Sequence, residues 1–307
     1  MALGGSFQDH YIRMYKDMLE HELQQRSSLL RGTVTIEPSM GERTYFDVIG
    51  KVGSYTRTSR YEAKQIADQT FERRYLTPTV LEANVVIDEL DLVRYAKSPE
   101  SDLMRAMSDE LGRQLDAIII AAVGGTALRE INGSASNASF DSNMSIAVTD
   151  ITYSGSAGDL PLTYGKLLKA KRFLQTNFVD MNRDTIFVVA PAKQLTNLQA
   201  TAIANGHLIR DRAFMDITLP GMDTALDGFL GMKYIAYEGT GVDGSADEYT
   251  YVFPSNAIKL GMFKDIVVDV HQRHDLAGSP TEITANLTAG AVRMFEGKVA
   301  RILGDPT

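Results

Sequence analysis

The most regular pattern in the chain lies between Ser98 and Val123, where Leu103, Met107, Leu111, Leu115, Ile118 and Ala122 recur at steps of four and three. That spacing puts them on one stripe of a helix, with Arg105, Asp109, Arg113 and Asp116 elsewhere around it. Ser98 supplies a capping hydroxyl, Pro99 suits the first helical position, and Gly124-Gly125 ends the element. About 26 residues rising about 1.5 Å each span roughly 39 Å. An ordinary helix has about 11–12 residues, so this one reads as a spine on which other elements are laid.

On the N-terminal side, Phe7, Tyr11, Met14, Met18 and Leu29 fall near one stripe and predict a helix over Phe7–Leu30, ended by Gly32. The pattern then changes to extended chain. Thr33–Glu37 alternates, Pro38–Gly41 supplies a turn, and Tyr45–Ile49 resumes the alternation. A polar excursion follows with Arg57, Arg60, Glu62, Lys64, Asp68, Glu72, Arg73 and Arg74 before a strand over Thr77–Ile87. Two strand regions thus flank a long charged loop with few core candidates. An isolated two-stranded ribbon is marginal in water, so its support is expected from outside the ribbon.

Beyond the spine, Asn132–Asn143 is a polar loop, followed by a short extended piece, Ser145–Thr149. Tyr164, Leu167, Leu168 and Leu174 predict a helix over Thr163–Asn177. The strand Thr185–Ala190 leads through Pro191 into a helix carrying Leu195, Leu198 and Ile203. Phe229–Tyr237 and Tyr249–Phe253 read as strands of the same small mixed sheet. The tail is mostly extended over Ala257–Met262, Ile266–Gln272, Glu282–Leu287 and Val292–Leu303. The fold class is α+β, without an internal repeat.

Composition narrows the function. A formal charge of −8 argues against dedicated nucleic-acid binding, which needs clustered basic side chains. The chain has no cysteine, so disulfides, thiolate metal sites and cysteine nucleophiles are excluded. Its longest apolar run, Ala117–Val123, falls short of the ~18 residues of a membrane span. Met1–Tyr11 lacks a signal-peptide pattern, which points to synthesis in the cytoplasm.

Candidate chemistry is sparse. Gly239-Thr240-Gly241-Val242-Asp243-Gly244 spells a dinucleotide fingerprint, but a strand follows where a helix is required, so a hairpin loop is expected. His271 and His274 lie three apart on a strand and so point to opposite faces. Asp88, Glu89 and Asp91 read as a charged turn before the spine. No serine has nucleophile-elbow spacing, and no phosphate loop is present. Neither catalytic, cofactor-binding nor metal-ligating residues can be assigned.

The order of elements carries a resemblance. Phe46-Asp47-Val48-Ile49-Gly50 with Arg57 and Arg60, then Val86-Ile87-Asp88-Glu89-Leu90-Asp91, looks like an extended loop and its return. Leu111-Gly112-Arg113-Gln114-Leu115-Asp116 with Gly124 looks like a spine helix. Phe187–Pro191 with Leu195 and Leu198, Phe229–Met232, Gly290–Arg293 and Gly297–Val299 complete the set. Together they resemble the Hong Kong 97-type fold of tailed-bacteriophage major capsid proteins.

The resemblance implies an N-terminal arm (1–32), an extended loop (33–87), a peripheral domain (88–184 and 262–307) and an axial domain (185–261). It also implies a non-catalytic shell of hexamers and pentamers around phage double-stranded DNA, made in the bacterial host cytoplasm. Expected partners are a separate scaffolding protein, a portal protein and, optionally, a decoration protein; no membrane and no sequence-specific DNA contact are expected. Arg57, Arg60, Arg73 and Arg74 are the expected assembly contacts. Some relatives carry Lys–Asn links between subunits, but no motif gives Lys51 or Lys64 that role. An encapsulin-type shell enclosing enzyme cargo is the alternative.

Overall fold

The computed structural model describes residues 25–50, 52–64, 66, 69, 71–88, 100–131, 133–150, 158–181, 183–204, 229–276 and 278–306. In chain order the strands are β1 (Thr35–Pro38), β2 (Thr44–Ile49), β3 (Phe71–Leu76), β4 (Thr79–Ile87), β5 (Arg129–Ile131), β6 (Ser134–Ala135) and β7 (Ser145–Ile146). They continue as β8 (Ile186–Ala190), β9 (Met232–Ala236), β10 (Glu248–Pro254), β11 (Ile258–Gln272), β12 (Thr281–Arg293) and β13 (Ala300–Gly304). The helices are α1 (Glu100–Gly124), α2 (Tyr164–Thr176) and α3 (Ala192–Ala204).

The spine helix forms as expected, while Ser98 and Pro99 lie outside the described residues. Its buried line differs in one respect. Met107, Leu111 and Leu115 are buried, but the line then continues through Ile119 and Val123, leaving Ile118 and Ala122 only half-buried. The contact follows the i, i+4 row, which drifts around the helix as it advances. Opposite it stand Ile283, Ala285, Leu287 and Ala289, the alternate residues of β12 that face the helix.

Three sheets are built on this seam. The first has the order β1-β11-β12-β4. Its centre is the long hairpin of β11 and β12, paired from Ile258↔Arg293 to Gln272↔Thr281. The two tail segments expected before Gln272 are one strand, bent by register shifts between Met262 and Val267. β1 joins in parallel and β4 antiparallel, so both Thr35–Pro38 and Thr79–Ile87, read from the sequence as part of the loop, belong to this sheet. The second has the order β7-β13-β10-β8-β9. One face packs toward α1 through Val189, Tyr251 and Phe253; the other carries Leu167, Leu174, Leu195 and Leu198 of α2 and α3. β8 is buried along its whole length, as a strand covered on both faces must be. The third sheet has the order β2-β3-β5-β6, and its base packs on Val292 and Met294 at the end of β12.

The chain termini of these units are held by polar anchors. Thr163 caps α2 through Lys166 N. The buried Lys166 ammonium donates to the carbonyls of Leu160 at 2.6 Å and Leu303 at 2.8 Å. Burial pushes its pKa down to about 8, against the pull of Asp150, Asp247, Asp159 and Asp305. Ile203 falls among residues whose side chains are not described.

The N-terminal helix expected over Phe7–Leu30 lies mostly outside the described residues; its last part, from Gln25 to Leu30, is irregular, followed by a 3₁₀ turn at Arg31–Thr33. The cause is Asp116, placed by the stripe on the polar side of the spine but fully buried. Its carboxylate accepts the backbone N–H groups of Leu29 (2.9 Å) and Leu30 (3.0 Å), together with the Ser28 hydroxyl and the Gln25 amide. One turn earlier, a Cβ on Gly112 would stand 2.8 Å from the backbone of Ser27 and Ser28. Asp116→Ala should therefore lower subunit stability by about 2–3 kcal/mol, since buried donors lose their acceptor. Urea unfolding of the unassembled subunit measures this. Gly112→Ala should also destabilise, although alanine favours an open helix by about 1 kcal/mol over glycine.

Candidate functional site

The sheet of β2 and β3 carries a long stretch of chain that is exposed in the subunit. β2 and β3 pair antiparallel from Thr44↔Leu76 to Ile49↔Phe71. At the base, Leu76 packs with Ala127, Ala138, Val292 and Met294, while Phe46 and Val48 lie against this small cluster. The alternate residues Tyr45, Asp47 and Ile49 face solvent. Beyond the ladder, every described residue from Val52 to Gln69 is exposed. Tyr61 is 95% exposed, Ile66 83%, Val52 60% and Tyr55 58%.

The tip is nevertheless shaped. The Glu62 carboxylate accepts Thr58 N at 2.7 Å, Thr58 Oγ1 at 3.1 Å and Ser59 N at 3.3 Å, and these bonds hold its pKa below the usual carboxylate range. Arg57 Nε donates to the Ser59 carbonyl at 2.8 Å. Between Lys51 and Lys64 stand four basic side chains and one acidic, on a chain of charge −8. A polar hollow of about 430 Å³ opens between Tyr55–Arg57 and Glu62–Lys64. It contains no nucleophile–base pair.

The four arginines singled out by sequence do not behave alike. Arg57 and Arg60 lie on the exposed tip. Arg73 is also exposed, paired to Asp47 at 2.7 Å and lying over the Tyr45 ring. Arg74 differs from expectation: it is 2% exposed and spent inside the subunit. Its guanidinium donates to Glu296 Oε2 at 2.8 Å and to the Arg293 carbonyl at 3.2 Å. Glu72, which it also approaches, accepts Arg129 of β5 at 3.4 Å. Adjacent residues on a strand face opposite ways, which separates Arg73 from Arg74.

Burial alone would raise the Glu296 pKa, but the hydrogen bond and charge of Arg74 outweigh it and hold it low. A second buried arginine lies beside this pair. Arg293 donates to the carbonyls of Val123 at 2.8 Å, Gly125 at 2.7 Å and Ala138 at 3.3 Å. It thereby satisfies acceptors that the end of α1 leaves open. Sequence reasoning passed over Glu296 and Arg293, because no local spacing marks a partner more than 150 residues away.

The remaining candidates are structural. After Gly239–Gly244 the chain runs into β10, a strand, as the hairpin reading requires. His271 and His274 lie at the tip of the long hairpin, where Arg273 pairs with Asp275 and Glu282. Glu89 and Asp91 lie outside the described residues, as does the 205–228 segment. Among the described residues no cluster of three or more metal-ligating side chains occurs, and no helix is long and apolar enough to cross a membrane.

Comparison with known proteins agrees with this architecture. The family described as phage capsid protein matches residues 7–305. No curated protein sequence matches significantly. Among solved structures, the capsid of cyanophage P-SCSP1u aligns with TM-score 0.68 at 12% identity, over 98% of this chain and 94% of that one. The capsid of Ralstonia phage GP4 aligns with TM-score 0.67 at 12% identity, covering 100% and 98%. Mycobacterium phage Che8 gives 0.64 at 16% identity, covering 97% and 98%. At these identities the likeness is one of fold.

The Arg74–Glu296 pair makes the loop base sensitive to acid. Because the Glu296 pKa is lowered by folding, its contribution is fully present above the ordinary carboxylate value of about 4.3 and is lost as pH falls through the lowered value. Amide exchange at Arg73–Leu76, corrected for intrinsic rates, should therefore rise below about pH 4. Glu296→Gln should remove that acid step and cost about 2–3 kcal/mol at neutral pH. An unchanged pH profile in the variant would assign the step to another group.

Proposed function

The chain belongs to the phage capsid protein family, and from that premise we propose how its surfaces build a shell. It is a structural major capsid protein of the Hong Kong 97-type fold. In the terms of that fold, we take the long sheet with α1 as the peripheral domain and the five-stranded sheet with α2 and α3 as the axial domain, which moves α2, β7 and β13 out of the segments 88–184 and 262–307 expected to be peripheral, because they pack with or pair into that sheet. The β2–β3 segment is the extended loop. The shell reading is that copies form hexamers and pentamers that close into an icosahedral head around double-stranded DNA. On this reading the residues before Gln25 act as an arm, and a separate scaffolding protein and a portal protein complete the head. A decoration protein is an optional addition, and the host cytoplasm is where assembly takes place.

One observation carries the proposal: a loop rooted on the body by β2 and β3, whose described tip residues are all exposed in their own subunit. A segment with few apolar contacts of its own contributes little to folding. It is instead available to a neighbour, and one shape repeated by symmetry satisfies all such loops at once. The acidic body suits an inner wall that confines DNA without gripping it, since binding would need a basic face. The encapsulin alternative is not favoured, because the matched family and the two capsids above are of phages.

Arg57, Arg60 and Arg73 remain the proposed intersubunit contacts. The double variant Arg57→Glu, Arg60→Glu should leave circular dichroism and thermal unfolding of the subunit unchanged, because exposed charges move stability by less than about 0.5 kcal/mol. Reversed charges placed against a neighbour cost several kcal/mol at an interface, so closed particles should be lost or deformed in electron micrographs. Normal particles from the double variant would remove these arginines from the interface. An unfolded subunit would place the loop in the folding core.

A further inference from the structure

Each open sheet ends in two outer strands, whose backbone N–H and C=O groups on the unpaired side are a template for another chain. Most of the outer strands described here are short or guarded. β6 and β7 have two residues each, and β1 has four and ends on Pro38. β9 has five with Lys233 exposed among them, and β2 carries the exposed Asp47. β4 differs. It runs nine residues, from Thr79 to Ile87, and pairs with β12 in one unbroken register from Thr79↔Ala289 to Ile87↔Thr281. No bulge, lysine or internal proline interrupts it, and among the described residues no strand pairs with its other side. Two large apolar residues stand open on it, Val80 at 61% exposure and Val86 at 47%.

The sequence of β4, Thr79-Val80-Leu81-Glu82-Ala83-Asn84-Val85-Val86-Ile87, reads nearly alike in both directions about Ala83. An antiparallel copy laid along the open edge with Ala83 opposite Ala83 pairs the whole strand. Val80 then meets Val86, Leu81 meets Val85, Glu82 meets Asn84 and Thr79 meets Ile87, each twice. The faces also match. Leu81, Ala83 and Val85 lie beside Leu287, Ala285 and Ile283 on the side of α1, and Val80, Glu82, Asn84 and Val86 lie on the other side. Other registers are worse. A one-residue slip sets helix-side residues against polar-side ones. Centring the pair on Glu82 puts like charges directly opposite, which destabilises. Centring it on Asn84 sets Glu82 against Val86 and leaves Thr79 and Val80 beyond the end of the partner strand.

We propose that β4 is an interface between two copies of this chain, paired antiparallel about Ala83 across a two-fold axis. The inference rests on the shell reading above and adds a second kind of contact to it. A two-fold contact is self-complementary and closes after two copies. It therefore joins a subunit of one ring to a subunit of the next, which contacts running around a ring cannot do. The two long sheets become one, in the order β1-β11-β12-β4-β4-β12-β11-β1, with both spine helices on the same side. The exposed valines cover each other as cross-strand pairs, and the Asn84 amide stands where it can donate to the Glu82 carboxylate. Main-chain bonds supply the attraction, and the side chains set the register.

The chain contains no cysteine, so a disulfide reports introduced residues only. Residues directly opposite in an antiparallel pair have Cα atoms about 4.5 or 5.5 Å apart, and a disulfide spans either distance. Particles of Ala83→Cys, assembled with scaffold and oxidised, should give a reducible band at twice the 33.8 kDa chain mass and no higher multiple. Val80→Cys alone should give none, because its two copies lie about 20 Å apart along the strands. Val80→Cys with Val86→Cys should restore the dimer. Oxidised particles in which neither Ala83→Cys nor that pair links, or in which Val80→Cys alone links as well, overturn the proposal. A second arm reads charge. Val80→Lys with Val86→Lys sets the introduced lysines against each other across the axis; the subunit should stay folded by circular dichroism while closed particles fall at least ten-fold. Val80→Glu with Val86→Lys sets opposite charges there and should recover them. Equal particle yields from the two double variants would count against the register. Should the unaltered chain form no particles with its scaffold, the shell reading fails by itself. Ala83→Cys is then scored in the concentrated subunit, where a dimer supports the edge pairing and its absence overturns it.

Discussion

The seam between α1 and β12 is the contact on which the other elements depend. Leu111, Leu115, Ile119 and Val123 meet Ile283, Ala285, Leu287 and Ala289, all buried. Fully burying one large aliphatic side chain stabilises by about 1.5–3 kcal/mol, so this seam is among the strongest apolar contacts in the subunit. The two alanines on β12 matter as much as the leucines. They let the helix approach the sheet closely, and that approach fixes where everything attached to either partner must lie. Asp116 and Gly112 on one side of the helix position the Gln25–Leu30 segment. Arg293 at the end of β12 closes the helix terminus and brings Ala138 alongside. The loop base then rests on the same strand end through Arg74 and Glu296.

This arrangement accounts for the charged groups that lie inside the subunit. Asp116, Lys166, Arg74 and Arg293 are each buried, and each is engaged by backbone or by an opposite charge within the subunit. Breaking such pairs is costly, because the remaining partner stays desolvated. Their role is to fix irregular stretches of chain in place, where regular hydrogen-bond ladders cannot reach. These four charges are therefore turned inward. What the subunit presents outward is shape, a basic tip and a long strand edge.

Much of the fold was legible in local pattern. The stripe from Leu103 to Leu115, the apolar face from Tyr164 to Leu174, the glycines after Val123 and the all-apolar Ile186–Ala190 strand each announce their element from nearest neighbours. Partnership was not legible. Thr35–Pro38 and Thr79–Ile87 alternate like ribbon strands, and nothing in them says that they pair with β11 and β12, some 200 residues on. For the same reason the paired arginines at 73 and 74 read alike, although one faces water and the other an acid from the chain's far end. At the candidate site, the exposed tip was readable because it lacks apolar periodicity. The open flank of α1 was not, since Ile118 and Ala122 look like core until the sheet is placed against the neighbouring row.

The order in which strands join has a consequence for timing. β12 is an interior strand of the long sheet, and β13 an interior strand of the five-stranded one. Both come from the last stretch of the chain, after every helix has been made. Pairings between distant segments form slowly, because a long loop must close before they are rewarded. A ribosome that has delivered only the first two thirds of this chain has finished the small β2-β3-β5-β6 sheet but neither of the two sheets against which the spine packs. An interrupted chain has neither the seam nor the root that would hold its loop at a defined angle, and it carries no shaped edge for a growing lattice to accept.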